Sequence, residues 1–302
     1  MDASSRPRVA VIGAGGQLGA DLIRAMRDWA PVGLTHADIE VADPAGVSAA
    51  LEAVAPDVVI NCAAFHRVDD CERQPEKAFR INALGARNVA LACARLGALA
   101  VYISTDYVFD GELGRPYTEA DAPRPINTYG VSKLAGEHLT ASCAPRHLIV
   151  RVSSLFGVVG ASGKGGNFVE TVIRKARGGE TLRVVDDLVM SPTYAADAAA
   201  AIRDLIAAGA TGVVHAANEG ACSWSEFARA IIEELGWPAD VHPQRSADLP
   251  TAARRPRNSA LESALLRARG RPQPPWRDAL RRYLVAKEHI AEEVTSDTII
   301  GT

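Results

Sequence analysis

This chain of 302 residues has little of what marks several protein classes. It has five cysteines, Cys62, Cys71, Cys93, Cys143 and Cys222. Their number is odd and none forms a C-x-x-C pair, which argues against a disulfide framework and a zinc site. No metal is expected. Cys62, at a strand end, reads as a small buried hydrophobe. The formal net charge is only -3, so nothing suggests a nucleic-acid or anionic-membrane surface. The one basic cluster, Ala253-Arg254-Arg255-Pro256-Arg257, reads equally well as a solvated loop or a phosphate contact. The opening residues, Met1 to Arg8, are polar, with no apolar signal region. No apolar run reaches transmembrane length, and no internal repeat is present. A cytoplasmic protein without nucleic-acid or membrane partners is expected.

What is present is ordinary globular material: 48% hydrophobic and 23% charged residues, enough for a large core. The length suits one large α/β domain with a smaller lobe, or two domains. Strand-like runs at Arg8–Ile12, Val32–Thr35, Asp57–Cys62, Leu99–Thr105 and His147–Val152 alternate with helical stretches at Gln17–Trp29, Pro75–Leu96 and Thr128–Ala141. Asp43-Pro44 opens a further helix, as N-cap and first helical residue. Asp110–Arg124 reads as a loop. This alternation predicts an α/β fold, a doubly wound Rossmann-type parallel sheet whose ligands bind beyond the carboxyl ends of the strands. Polar clusters fall at those ends.

After Gly157 the pattern changes. Glycines cluster at 160–166, strands are expected at Arg183–Val185 and Gly212–His215, and helices at Ser225–Leu235 and Trp276–His289. The division expected is residues 1–156 as the dinucleotide-binding domain, with 190–210 returning to it, and 157–302 mainly as a smaller substrate-binding lobe. The tail at 295–302 reads as frayed.

Two motifs carry chemistry. Gly13, Gly16 and Gly19 follow a strand and precede a helix, the context that makes a glycine pattern a dinucleotide loop. Gly13 permits the tight turn, Gly16 lets backbone approach a pyrophosphate at the helix N-terminus, and Gly19 lets the helix pack closely. The alternative is a structural strand-to-helix turn. Gly15, Gln17 and Leu18 belong to the same loop. After the second strand, Asp38 and Glu40 are carboxylates for a ribose 2′-hydroxyl, which leans toward NADH over NADPH. His36 is a weak phosphate candidate.

The second motif is Tyr129-Gly130-Val131-Ser132-Lys133. Tyr129 and Lys133, four residues apart on a helix, share a face. A nearby ammonium is expected to lower the phenol's pKa, so that the pair exchanges a proton with a carbonyl or alcohol while a nicotinamide moves hydride. Thr105, at the end of the fourth strand, can orient the substrate oxygen against Tyr129. An exposed amphipathic helix start is the bland alternative. Asp110 reads as a turn residue, and His66, after a strand end, either approaches a nicotinamide or is a surface histidine, the latter being favoured.

As a set, these residues resemble the dTDP-4-dehydrorhamnose reductases, a sugar-nucleotide branch of the extended short-chain dehydrogenase/reductases. The carriers include Asn61-Cys62-Ala63-Ala64, Ser104-Thr105-Asp106-Tyr107-Val108-Phe109-Asp110-Gly111, Asn127 to Glu137, Gly166-Asn167-Phe168, Ser191-Pro192-Thr193 and Arg255-Pro256-Arg257-Asn258-Ser259. The resemblance implies NADPH- or NADH-dependent reduction of the C4 ketone of a dTDP-4-keto-6-deoxyhexose. Tyr129 would be the proton donor, Lys133 its partner and a ligand of the nicotinamide ribose, and Thr105 the third hydrogen-bonder. Ala63 and Ala64 would border the cofactor, with Glu40 and Val41 by the adenine. Asp106, Tyr107, Ser154, Asn167 and Arg255 would serve the sugar nucleotide. The chain departs from the family at Ser154, where members commonly carry tryptophan; Phe156 is a partial replacement. A reductase of another nucleotide-linked 4-keto sugar, or a non-catalytic regulatory subunit like the beta subunit of methionine adenosyltransferase, are the alternatives. A homodimer is compatible with all of them.

Overall fold

The computed structural model describes residues 6–160 and 166–291. The first five residues, 161–165 within the glycine cluster, and the 295–302 tail lie outside the described residues.

The chain begins with β1 (Val9–Ile12), buried throughout, which feeds the glycine turn and then α1 (Gln17–Ala25). The expected helix to Trp29 stops at Ala25, and Arg27–Trp29 continue as a 3₁₀ turn that ends on Ala30 at φ 50. β2 (Val32–Leu34) follows. Asp43 caps α2 (Pro44–Val54), its side chain accepting from the Ala45 amide, with Pro44 in the first turn. β3 (Val58–Asn61) leads into a short helix that the sequence reading missed, α3 (Val68–Arg73).

The long helix expected over Pro75–Leu96 is interrupted. It divides into α4 (Pro75–Phe79), a π-helical turn at Arg80–Gly85, and α5 (Ala86–Leu96). The cause is Asn82, fully buried in that turn. Its side chain accepts from the Phe65 amide (2.8 Å) and donates to the Phe65 carbonyl (3.0 Å) and Ser132 Oγ (2.9 Å). Its backbone carbonyl accepts from the Tyr102 hydroxyl.

β4 (Leu99–Thr105), α6 (Thr128–Cys143) and β5 (His147–Val152) complete the first half close to the expected limits. Asn127 caps α6, accepting from the Gly130 amide. Beyond β5 come β6 (Leu155–Phe156), α7 (Phe168–Arg177), β7 (Leu182–Val185), β8 (Val189–Met190), β9 (Thr193–Tyr194) and α8 (Ala195–Ala207). β10 (Gly212–His215) and β11 (Cys222–Ser223) then precede α9 (Trp224–Leu235), β12 (Val241–Gln244), α10 (Ala264–Ala268) and α11 (Trp276–Ala286).

The main sheet has six strands in the order β10-β5-β4-β3-β1-β2, every pair parallel. The strand at Gly212–His215, read above within the smaller lobe, is therefore an edge of this sheet. Val213 and Val214 supply the β-branched character that a parallel strand needs. One apolar layer joins the sheet to α1 and α8, and another joins it to α2 and α5. A separate core of Phe156, Phe227, Trp276 and Tyr283 holds α7, α9 and α11 together. The order reverses beside β1, so β1, β3, β4 and β5 all deliver their carboxyl ends to one crevice, where an open α/β sheet binds ligands.

Candidate active site

The crevice is a cleft of about 1160 Å³. Its walls are built from the strand ends. After β1 come Gly13, Gly15, Gly16, Gln17, Leu18 and Gly19; after β3 come Cys62, Ala63 and Ala64; after β4 come Thr105, Asp106 and Tyr107; after β5 comes Ser154. Tyr129, from the first turn of α6, faces them across the cleft. Glu40 and Val41 line it beyond β2. Most of the residues singled out from the sequence thus share one site.

The glycine turn has a specific construction. Gly13 sits at φ +80, and a Cβ on Gly19 would lie 2.2 Å from the Gly13 carbonyl oxygen. The turn therefore presses against the helix that it opens, and only hydrogen fits at 19. Gly16 caps α1 without any side-chain hydrogen bond, so the first amides of α1 lack a side-chain acceptor. A cradle of unpaired donors at a helix N-terminus suits an anionic pyrophosphate, so these residues fit a dinucleotide. Gly19→Ala is expected to weaken cofactor binding more than tenfold in a fluorescence titration, because the turn must shift to admit the methyl.

Not every placement matches expectation. Asp38 is absent from the cleft wall. Its carboxylate accepts from the Thr35 amide (2.8 Å) and hydroxyl (2.6 Å), and these bonds hold its pKa below the usual carboxylate value. Of the two proposed carboxylates only Glu40 borders the cleft, 3.7 Å from His36. Asn167 reaches the cleft wall, but its polar atoms are spent: it caps α7 through Glu170 and donates to the Gly157 carbonyl and the Tyr283 hydroxyl. Phe156, considered as a partial substitute for the missing tryptophan, borders the cleft and packs its ring against Tyr194, Phe227 and Tyr283. His66 is half-buried and lines the cleft, in the place of the nicotinamide-side alternative rather than the favoured surface one.

Arg255 also differs. It lines a second cavity of about 880 Å³, and both its terminal nitrogens are held by Asp69 of α3, at 2.8 and 3.3 Å. It also bonds the Tyr107 side chain. Its neighbours Arg254 and Arg257, with Arg183 and Lys175, surround the same cavity. Among the described residues Arg183, Arg254 and Arg257 carry no ion pair. The two cavities share Tyr107, Phe168, Thr171 and Trp224 as a common wall. Sequence reasoning had assigned no role to Thr171 or Trp224. Ser154, at φ 41, stands in the cleft with a small polar side chain. The half-buried aromatic surface beside it comes from Phe168 and Trp224, ring centroids 4.7 Å apart.

Lys133 is fully enclosed. Its Nζ donates to the Ile103 carbonyl (2.6 Å) and lies 4.0 Å over the Tyr102 ring. Burial lowers its pKa to about 7, opposed by the Glu137 carboxylate one helical turn on. Glu137 is itself buried, forked by Arg151 (2.9 and 2.7 Å) and bonded by Ser104. Tyr129 behaves contrary to expectation. Burial raises its phenol above the ordinary value, offset in part by a hydrogen bond with Thr105, and Lys133 is not among the groups acting on it. Thr105 Oγ1 donates to Asp106 Oδ1 (2.9 Å) and accepts from the Tyr107 amide (3.2 Å). The cleft wall carries a proton donor and a hydroxyl beside a dinucleotide cradle, the equipment of a carbonyl reductase, while the Lys133 ammonium is enclosed against the Ile103 carbonyl and is not part of that wall.

The comparisons agree with this reading. The family model described as RmlD substrate binding domain matches residues 7–288. A dTDP-4-dehydrorhamnose reductase from Mycobacterium tuberculosis is 41% identical over 92% of this chain and 93% of its own length. The spore coat polysaccharide biosynthesis protein SpsK of Bacillus subtilis is 39% identical over 92% of this chain and 96% of its own. A crystal structure of dTDP-4-dehydrorhamnose reductase from Bacillus anthracis, in complex with NADP, superposes with a TM-score of 0.88 at 37% identity, covering 93% of this chain and all of that one. With the glycine cradle and the Tyr129–Thr105 pair in one crevice, and the family model matching residues 7–288, the chain belongs to the dTDP-4-dehydrorhamnose reductase family.

Proposed function

We propose that this protein uses NADPH or NADH to reduce the C4 ketone of dTDP-4-dehydro-L-rhamnose, giving dTDP-L-rhamnose. The observation that carries the reading is the cleft itself: Tyr129 and Thr105 share its wall with the glycine cradle, and the cation-lined cavity adjoins it through Tyr107 and Trp224. The cradle suits a dinucleotide. The adjoining cavity suits a nucleoside diphosphate carrying the sugar.

In this reading the Gly13–Gly19 turn and the first turn of α1 receive the pyrophosphate, Glu40 and Val41 border the adenosine, and Ala63 and Ala64 flank the cofactor on the β3 side. The bound nicotinamide supplies the hydride. Tyr129 gives its phenolic proton to the C4 oxygen, and a phenol kept protonated by burial is suited to donate rather than accept. Thr105 hydrogen-bonds the same oxygen and fixes its direction toward Tyr129. The Lys133 ammonium, one helical turn beyond Tyr129 and held by the Ile103 carbonyl, is assigned to the nicotinamide ribose rather than to the phenol. Asp106 and Tyr107 close the sugar site beneath Thr105. Ser154 leaves room where a larger residue would crowd the hexose, and Phe168 with Trp224 offers the apolar face.

The diphosphate falls to Arg254 and Arg257 rather than Arg255, whose guanidinium is committed to Asp69. Arg254→Ala and Arg257→Ala are each expected to raise KM for the sugar nucleotide about tenfold with little change in kcat, the range for a charge-assisted hydrogen bond. Steady-state kinetics at saturating cofactor separates the two constants.

The direct test is oxidation of NADH and of NADPH with dTDP-4-dehydro-L-rhamnose generated in place. Turnover supports the reading. Cofactor binding without oxidation on this or any related 4-keto sugar nucleotide would reject it.

A further inference from the structure

Asp106 is a buried carboxylate without a cation. Only 3% of its surface is exposed, and among the described residues no ion pair includes it. Hydroxyl groups hold it instead. Thr105 Oγ1 donates to Oδ1 at 2.9 Å, Ser153 Oγ donates to Oδ2 at 3.0 Å, and the Ser259 side chain bonds it as well. Ser153 Oγ is fixed in turn by the Ser191 amide at 3.3 Å. Three elements thus converge on one carboxyl: the end of β4, the end of β5 and the 253–261 loop.

This geometry has a consequence for Thr105. A hydroxyl has one proton. With Asp106 ionised, that proton is directed at Oδ1, and one Thr105 lone pair already accepts from the Tyr107 amide. Thr105 then has no proton for a substrate oxygen. If Asp106 carries a proton, Oδ1 becomes the donor, Thr105 accepts from it, and the threonine proton turns toward Tyr129 and the substrate. The same two oxygens at the same separation serve both arrangements, so nothing has to move but the protons.

We propose that Asp106 is a positioning residue that sets the direction of the Thr105 hydroxyl, so that proton uptake by this carboxyl arms the site for reduction. The inference rests on the reductase reading above. No bond between heavy atoms changes: Asp106 gains a proton from the cleft, and the Thr105 hydroxyl rotates from donating to Asp106 Oδ1 to donating toward the C4 oxygen. Burial raises the Asp106 pKa to about 6, opposed by the three hydroxyls. The titratable groups that face it are the Tyr129 phenol of α6 and the Tyr107 phenol on its own turn, both raised by its charge, with Arg255 and Asp69 standing beyond Tyr107. Both phenols stay protonated across the relevant range. Burial lowers the Lys133 pKa to about 7, and its contribution is separable because it persists when Asp106 is replaced.

The test pairs kinetics with a titration that needs no substrate. In the wild type, kcat for the sugar nucleotide is expected to rise as pH falls through about 6. In Asp106→Asn, whose amide donates to Thr105 at every pH, that limb is expected to vanish while the higher limb from Lys133 remains. In the protein without substrate, carbon-13 NMR of labelled aspartate is expected to show one carboxyl titrating near 6 that is missing in Asp106→Asn. Thr105→Val is expected to move it upward, since a bond to the charged form is lost. Persistence of the lower limb in Asp106→Asn overturns the proposal, as does an aspartate resonance unmoved by Thr105→Val. If the titrations behave as stated but no 4-keto sugar nucleotide is reduced, the reductase reading fails and the hydroxyl switch stands.

Discussion

Tyr129→Phe lowers kcat by at least about 10²-fold while leaving cofactor affinity within a factor of two or three, the usual size for loss of a positioned proton donor. The expectation follows from three observations. The tyrosine borders the cleft from the first turn of α6, where Asn127 fixes the helix start through the Gly130 amide. Its phenol is held protonated by burial. Its ring meets Tyr107 edge-on, with centroids 6.0 Å apart, and phenylalanine keeps that contact. Removing the hydroxyl therefore removes the proton and little else. Stopped-flow oxidation of NADPH or NADH under single-turnover conditions, beside a cofactor titration, separates chemistry from binding. Near wild-type turnover in the variant would mean that the proton arrives from another group.

Lys133→Met is expected to abolish most turnover and, at the same time, to make the cofactor-free protein more stable. The wild-type ammonium is 2% exposed, with one carbonyl and one ring face as its contacts. Its pKa drops from 10.5 to about 7 because the fold disfavours the charged form. That cost is present in full below pH 7. It shrinks as pH rises from 7 toward 10.5, where the unfolded chain also loses its proton. The melting temperature of Lys133→Met should thus exceed that of the wild type at pH 6, by roughly 2–4 °C per kcal/mol recovered, and the gap should close by pH 10. Turnover should fall at least about 10²-fold at every pH, and cofactor should bind more weakly. A variant with a lower melting temperature at pH 6 would show that Lys133 serves as a structural strut. In the wild type, kcat is expected to decline as pH rises through 7, as the ammonium loses its proton.

The sequence disclosed the crevice more fully than its chemistry. β1, β4 and β5 are short β-branched runs with sharp polar ends, so their limits were legible, and with them the positions of Gly13, Thr105 and Ser154. α3 was not, because six residues with a charged face carry too little periodicity. The π turn at Arg80–Gly85 could not be read because its cause is long-range: Asn82 answers to Phe65, Tyr102 and Ser132. Tyr129 and Lys133 were found by their spacing. Their electrostatics were misjudged, because the four-residue interval says that two side chains share a helix face and nothing about how deeply each is buried. Asp38 and Arg255 show a related limit. Residue type marked each as a ligand for nucleotide groups, but Thr35 and Asp69 had already claimed them. Glu137 lay in plain view at the end of the Y-G-x-S-K-L-A-G-E motif, without a role until Arg151 and Ser104 closed on it.

The sixth strand of the main sheet has a bearing on how the protein is made. β10 pairs with β5, yet about sixty residues separate Val152 from Gly212, and they build much of another lobe. On a ribosome adding about 5–20 residues per second, the edge of β5 waits roughly 3–12 s for its partner. Through that interval a nascent chain presents an unpaired edge of Leu148, Ile149 and Val150, the kind of surface on which neighbouring chains pair. A translational pause placed between residues 153 and 211 would prolong the exposure, whereas one placed after 215 would let the sheet close first. Synonymous codon changes in those two intervals should differ in soluble yield without altering a single residue of the finished enzyme.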